Sequence, residues 1–196
     1  MKEILVLYYS KSGSTKKLAN YIARGINSIE GANARIRTVP NVTTNPDFID
    51  DTSPTHDVYV THTDLEECVG LALGSPVRFG NMDSSLKYFL DSTTHEWLTG
   101  ILTGKAACVF TSSGSLHGGQ EACLWTMLVP LLHHGMIIVG LPYTDSALMN
   151  TKTGGTPYGV SHHAGTDDDM AISTEEKHLA ILQGKRLAEV AMKLGN

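Results

Sequence analysis

Four hydroxyl side chains are concentrated in one six-residue segment near the start of the chain. They are Ser10, Ser12, Ser14 and Thr15. The segment follows an apolar run at residues 4–9 and leads into helical apolar spacing at residues 16–23. Backbone N–H groups of such a turn and the positive end of the helix dipole favour a compact anion, and hydroxyls add donors. A phosphate site is therefore predicted, although such turns also cap helices where no ligand binds.

The glycine content of this turn narrows the class of ligand. A dinucleotide fingerprint requires G-x-G-x-x-G, and a Walker A loop requires G-x-x-x-x-G-K-[ST]. The turn holds Gly13 alone, and neither spacing is present. The pattern favours a mononucleotide phosphate over NAD, FAD or a nucleoside triphosphate.

Two further loops have a composition that suits a flat ring. The loop Ser75–Met82 offers Arg78 as a fixed charge and Phe79 as an apolar surface, while small residues at 112–119 allow close backbone approach. A flavin ring needs apolar faces, backbone donors at its polar edge and positive potential near N1. Each loop alone is compatible with a purely structural role. Three such loops at one edge favour a flavin mononucleotide site.

Four short apolar segments predict buried strands, and weak alternation before Pro40 predicts one more strand near a sheet edge. Segments with helical apolar spacing predict helices. The strands are expected at residues 4–9, 34–39, 69–74, 105–110 and 136–139, and the helices at residues 16–23, 83–90, 120–134 and 175–194. Residues 41–67 and 141–174 show little periodicity and are interpreted as long irregular connections, the first with room for one short helix. This alternation predicts a parallel sheet with helices on both faces, in which ligands bind beyond the carboxyl ends of the strands. The three loops then share one edge.

Composition restricts the class of protein. The 196 residues suit a single domain, 1–196, and 41% hydrophobic with 18% charged residues is ordinary for a globular chain. A formal net charge of −5, without a basic stripe, argues against nucleic acid as a partner. Three cysteines without a C-x-x-C motif, and no apolar run long enough for a membrane span or a signal peptide, predict a cytoplasmic protein without membrane insertion.

Histidines and acidic residues elsewhere in the chain are further candidates for functional groups. His133 and His134 are adjacent and cannot share a helix face, so they do not form a two-histidine metal site. His162-His163 and the acidic run 167–169 lack metal-ligand spacing and are interpreted as a solvated loop, so no metal is predicted. A response-regulator receiver is disfavoured, because it would need acidic residues where Tyr9 and Ser10 stand. A hydrolase is disfavoured because the motif G-x-S-x-G is absent.

Taken together, the loop sequences resemble the WrbA-type flavoproteins, which are NAD(P)H:quinone oxidoreductases of the flavodoxin-like superfamily. The matching segments follow the family's order over most of the chain, at residues 5–10, 74–82, 110–121, 133–136 and 154–159. The resemblance implies an α/β fold, a flavodoxin-like three-layer sandwich with a five-stranded parallel sheet of order 2-1-3-4-5. It also implies FMN as cofactor, NADH or NADPH and a quinone as substrates, and a homotetramer with its active site near subunit contacts.

The resemblance further implies roles for individual residues. The FMN phosphate would be held by Ser10, Lys11, Ser12, Gly13, Ser14 and Thr15. The ring would be lined by Pro76, Val77, Arg78, Phe79 and Gly80, and its polar edge and ribityl side by Ser112, Ser113, Gly114, Ser115, Leu116, His117 and Gly118. His134 would reach the flavin of its own or a neighbouring subunit, and Trp97, placed in the connection after the helix predicted at residues 83–90, would bind substrate. Ser12 would also contact substrate, and stands where many relatives carry an aromatic residue expected to contact the nicotinamide nucleotide.

The activity implied is a two-electron, ping-pong reduction of quinones to hydroquinones. Arg78 and backbone dipoles would stabilise the reduced flavin, and no side chain is assigned as an obligatory acid or base. A flavodoxin-like electron carrier serving a protein partner is the main alternative. Such carriers usually leave the flavin edge open, whereas Trp97 and the loops indicate a covered site. A regulatory binding protein is a third class, for which the sequence offers no recognition surface.

Overall fold

A parallel sheet of six strands lies at the centre of the computed structural model, which describes residues 1–43 and 57–195. The strands are β1 (Lys2–Tyr8), β2 (Ala32–Thr38), β3 (Gly70–Pro76), β4 (Ala106–Ser113), β5 (Ile137–Ile138) and β6 (Gly159–His163). The main path runs β2-β1-β3-β4-β5, and β6 pairs with β4. The predicted strand order 2-1-3-4-5 is confirmed.

The prediction of five strands was wrong by one. β5 pairs with Ala106 and Ala107 at the beginning of β4, and β6 continues along the same edge from Val109 to Ser113. β6 lies within the stretch 141–174 that was interpreted as irregular, because five residues containing Gly159, a serine and two histidines show no apolar alternation. The added strand carries the chain that follows it to the carboxyl edge of the sheet.

Helices cover both faces of the sheet. They are α1 (Ser14–Ile26), α2 (His62–Glu67), α3 (Ser84–Asp91), α4 (Thr94–Thr99), α5 (Gln120–His133), α6 (Ser146–Asn150) and α7 (Thr174–Leu194). The predicted helices correspond to α1, α3, α5 and α7, and α2 lies in the connection that had room for one short helix. The short helices α4 and α6 were missed because a helix of five or six residues carries little periodicity. Residues 44–56 of the predicted irregular connection 41–67 lie outside the described residues, so that part of the prediction stays untested.

The two halves of the core follow from the alternation of side chains along β1. Ile4, Val6 and Tyr8 point to one face and pack with buried residues of α1 and α7, including Leu18 and Leu187. The intervening leucines pack on the other face with α3 and α5. Both faces of the central strands are covered, so their buried middle parts are apolar on both sides, and polar residues appear only towards the strand ends. The predicted three-layer sandwich is confirmed.

The three cysteines, Cys68, Cys108 and Cys123, are unbridged and buried. Burial raises the pKa of Cys108 to about 12 and that of Cys123 to about 11, so both thiols are protonated at neutral pH. Neither is therefore a nucleophile. Within residues 1–43 and 57–195, no helix combines the length and apolar character needed to cross a bilayer.

Candidate functional site

The first loop begins where β1 ends and leads directly into α1. Gly13 is the residue that caps α1, with φ of 107° in the left-handed region that favours glycine. Its N–H donates to Ser10 Oγ over 3.1 Å, and no side chain caps the helix. Ser14 Oγ is buried and has no hydrogen-bond partner among the described residues. The beginning of α1 therefore has donors available for an anion.

The three predicted loops meet at the carboxyl ends of β1, β3 and β4. The hydroxyls of Thr15 and Ser112 lie 2.8 Å apart, and Val77 N–H donates to the Ser112 carbonyl over 2.8 Å. A Cβ atom at Gly119 would lie 2.9 Å from the Cα of Gly80, so the second and third loops approach more closely than side chains allow. The predicted convergence of these loops is what the structure shows.

A cavity of about 230 Å³, hereafter the loop cavity, lies between the loops. Eleven of the predicted residues line it: Ser10, Lys11, Ser12, Ser14, Thr15, Pro76, Val77, Arg78, Ser112, Ser113 and Gly114. Its walls combine hydroxyls, one guanidinium and the beginning of a helix, which together suit a phosphate with a polyol chain. The volume is below the roughly 300–1,000 Å³ typical of a whole-ligand pocket, so a flavin ring would extend beyond it.

The remaining wall of the loop cavity was missed by the sequence analysis. It consists of Ala164, Gly165, Thr166 and Asp168. This segment follows β6, whose last residue, His163, pairs in parallel with Ser113 of β4. A small residue and a glycine directly after two histidines were the available signal, but without β6 nothing placed them at this edge.

Seven other predicted cofactor residues belong to the same three loops without lining the cavity. Phe79 is fully exposed at φ of 51°, an uncommon conformation for a residue with a side chain. Four predicted residues of the third loop are exposed as well: Ser115, Leu116, His117 and Gly118. Gly13 and Gly80 contribute backbone at tight turns. An exposed aromatic ring beside the cavity provides apolar surface for a flat ligand or substrate.

Arg78 is held in place by a residue that the sequence analysis did not single out. Its Nε lies 3.1 Å from Asp83 Oδ2, and one of its terminal nitrogens donates to the Val77 carbonyl over 3.1 Å. The other carboxylate oxygen of Asp83 accepts from Ser85 N–H and caps α3. Asp83 therefore orients the guanidinium, and it also offsets part of the positive charge that Arg78 brings to the cavity.

Trp97 and His134 lie at a second cavity of about 590 Å³, hereafter the helix cavity. Residues from the β3–α3 connection, from α4 and from the end of α5 line it, among them Asn81, Met82, Thr93, Trp97, Val129 and His134. Trp97 belongs to α4 rather than to an irregular connection, and half of its surface is exposed. Within one chain, neither Trp97 nor His134 joins the eleven predicted residues that line the loop cavity.

The orientation of His134 is set by a threonine. The Thr93 hydroxyl donates to the Leu90 carbonyl, so the same oxygen accepts from His134 Nε2 over 3.0 Å. Nδ1 is then an acceptor, and it is buried with no partner in the described part of the chain. Burial lowers the pKa of His134, which favours this neutral form.

The interpretation of His162 as part of a solvated loop was wrong. The side chain is fully buried on β6, and its Nδ1 lies 2.9 Å from Glu176 Oε2. The two oxygens of Glu176 also accept from three backbone N–H groups, those of Gly154, His163 and Ser173. No group of three or more potential metal ligands is found among the residues that the structure describes.

The overall fold is that of the flavodoxins. A WrbA-like flavodoxin from Agrobacterium tumefaciens superimposes with a TM-score of 0.67 at 20% identity, covering 98% of this chain and 99% of the other. Flavodoxin 1 from Bacillus cereus superimposes with a TM-score of 0.62 at 18% identity, covering 96% and 98% of the two chains. These likenesses establish the class of fold.

Sequence similarity is closer and places the chain in a family. Residues 3–146 match the sequence model of the NADPH-dependent FMN reductases, and the chain belongs to this family. Proteins named NAD(P)H dehydrogenase (quinone) from Syntrophobacter fumaroxidans and Geotalea daltonii are 38% and 39% identical to it, each over 98% of both chains. The predicted resemblance to WrbA-type oxidoreductases is confirmed.

Proposed function

We propose that this protein is an FMN-dependent NAD(P)H:quinone oxidoreductase. The observation that carries the proposal is the loop cavity, in which hydroxyls and an uncapped helix beginning meet at the carboxyl ends of β1, β3 and β4. The relatives named NAD(P)H dehydrogenase (quinone), aligned over nearly the whole chain, support the choice of reaction. The family's description as FMN reductases supports the choice of flavin.

The residues present fit FMN. Two buried polar atoms at the loop cavity, Ser14 Oγ and Asp168 Oδ2, have no partner in the described residues, as expected for groups that meet a ligand. Residues 10–15 hold the phosphate, because the turn and the beginning of α1 supply N–H and hydroxyl donors. Residues 76–80 line the flavin ring, and residues 112–118 lie at its polar edge and ribityl side.

The protein's contribution to the reaction is position and charge. When bound, FMN supplies the reversible acceptance and donation of a hydride. Arg78 keeps a positive charge at the cavity, which favours a more negative reduced state. The exposed ring of Phe79 offers apolar surface on which a nicotinamide or a quinone rests in turn, so that the two substrates use one site in a ping-pong order. Ser12, at the rim, contacts the nicotinamide nucleotide.

The protein acts as a homotetramer in this proposal. The outward face of α5 carries Trp125, Val129 and Leu132, each about half exposed, and such an apolar stripe is typical of an interface. Trp97 and His134 lie away from the loop cavity of their own chain, which supports a role for these residues at the flavin of a neighbouring subunit. Three unbridged thiols support a reducing, cytoplasmic compartment.

The proposal is tested by anaerobic visible spectroscopy of the purified protein mixed with FMN. We expect a bound flavin that bleaches with NADH or NADPH and recovers fully when benzoquinone is added, with one quinone reduced for each nucleotide oxidised. A bound flavin that neither nucleotide reduces would instead favour the electron carrier. Failure to bind FMN would refute the cofactor as well as the enzyme.

A further inference from the structure

An acidic side chain lies on the wall of the loop cavity that the sequence analysis missed. Asp168 lines the cavity, and its Oδ2 atom is buried without a hydrogen-bond partner in residues 1–43 and 57–195. Its φ of 58° is in the left-handed region, which is uncommon for a residue with a side chain. An unsatisfied buried acceptor calls for a ligand that satisfies it.

Several hydroxyls of the same cavity already have partners. Ser10 Oγ accepts from Gly13 N–H, and the hydroxyls of Thr15 and Ser112 pair with each other. Ser113 Oγ donates to the Ser115 carbonyl and accepts from a glutamine amide. None of these hydroxyls bonds to Asp168 Oδ2, which is left as an acceptor without a donor in the described part of the chain.

The parts of FMN differ in what they offer to a carboxylate. The phosphate carries negative charge and would be repelled, whereas the hydroxyls of the ribityl chain are donors. A hydroxyl bound to a carboxylate makes a charge-assisted hydrogen bond, which is about twice as strong as a neutral one. The chemistry of Asp168 therefore matches the ribityl chain and opposes the phosphate.

We propose that Asp168 is a flavin-binding residue whose carboxylate accepts a hydrogen bond from a ribityl hydroxyl of FMN. The proposal rests on the proposed function, because it assumes that the loop cavity holds FMN. Asp168 thus recognises the ribityl chain of the ligand, whereas the first loop recognises its phosphate.

The segment that carries Asp168 is held firmly at both ends. Glu176 accepts from His163 N–H before the segment and from Ser173 N–H after it. Inside it, Asp168 N–H donates to the Gly165 carbonyl over 3.2 Å, and Met170 N–H donates to the Ala164 carbonyl over 3.0 Å. The carboxylate is therefore positioned in advance, and binding does not have to order a long chain segment.

The experiment compares binding of FMN and riboflavin to the full-length, flavin-free protein, measured by quenching of flavin fluorescence. Riboflavin lacks the phosphate, so it reports the ribityl contact without the charge repulsion. Asp168→Gly removes the carboxylate and tolerates the positive φ, and Asp168→Asn keeps the shape but removes the charge. Asp167→Asn changes the same net charge at an exposed neighbouring residue and is the matched control. Circular dichroism checks that each variant is folded.

We expect Asp168→Gly to weaken riboflavin binding about tenfold, Asp168→Asn to weaken it less, and Asp167→Asn to leave it within about twofold. Riboflavin binding equal to wild type in both Asp168 variants would overturn the inference. So would tighter FMN binding with riboflavin unchanged, since the carboxylate would then act only by repelling phosphate. If Asp168→Gly does not fold, Asp168→Asn decides by the same criterion. If the wild-type protein itself does not bind FMN, the proposed function is overturned as well.

Discussion

Replacing Glu176 by glutamine is expected to destabilise the folded protein substantially at neutral pH. Burial by itself would raise the pKa of Glu176, but the hydrogen bonds from His162 and from the N–H groups of Ser173 and His163 outweigh it and lower the pKa to about 2. Relative to its usual value of 4.5, this shift corresponds to about 3 kcal/mol of stabilisation of the ionised form. Glutamine mimics the protonated carboxyl and forfeits that contribution.

The pH dependence has a definite sign. Because the pKa of Glu176 is lower in the folded than in the unfolded protein, its contribution is complete above about pH 5 and is lost as the pH falls towards 2. The difference in free energy of unfolding between wild type and Glu176→Gln should therefore be about 3 kcal/mol at pH 7 and should shrink in acid. FMN affinity should also fall, since Glu176 holds both ends of the segment that contains Asp168.

Urea denaturation followed by circular dichroism at several pH values measures this difference. Glu175→Gln is the control, because Glu175 is exposed in the same helical turn and its loss should cost below about 1 kcal/mol. A Glu176→Gln protein as stable as wild type at pH 7 would refute the reasoning. A stability difference that stays constant from pH 7 to pH 3 would refute the electrostatic part of it.

Three other substitutions test the candidate site. Arg78→Ala should weaken FMN binding and lower the flavin reduction potential, because a positive charge is removed. Potentiometry measures this, with Arg24→Ala at an exposed arginine as the control. A reduction potential in Arg78→Ala equal to that of wild type would exclude the role. Trp97→Ala should reduce quinone turnover more than FMN retention, whereas equal loss of both would indicate a structural residue. Gly13→Ala should lower the free energy of unfolding by about 1–2 kcal/mol and weaken FMN binding, because the φ of Gly13 is positive, although a Cβ there meets nothing within 4 Å. A free energy of unfolding and an FMN affinity equal to those of wild type would contradict this prediction.

How far the sequence predicts this fold depends on how local each signal is. Residues 4–9 predict a strand buried on both faces, and residues 10–15 predict the turn, because both depend on residues that are neighbours along the chain. Gly159–His163 gives no such signal: it is a strand because β4 has an unpaired edge beyond β5. The burial of His162 follows from the same pairing, which is why a solvated loop was the wrong interpretation.

The candidate site divides in the same way. Apolar runs, hydroxyl-rich and glycine-rich turns, and the spacing of the helices determine by themselves a parallel α/β sheet with three loops at one edge, since each depends on residues close in the chain. Only the tertiary structure decides which distant groups complete that edge. Asp83 beside Arg78, Asp168 in the loop cavity, and the separation of Trp97 and His134 from it all arise from packing between remote segments. The sequence determines the chemistry of each side chain, but the tertiary structure determines which distant group that side chain contacts.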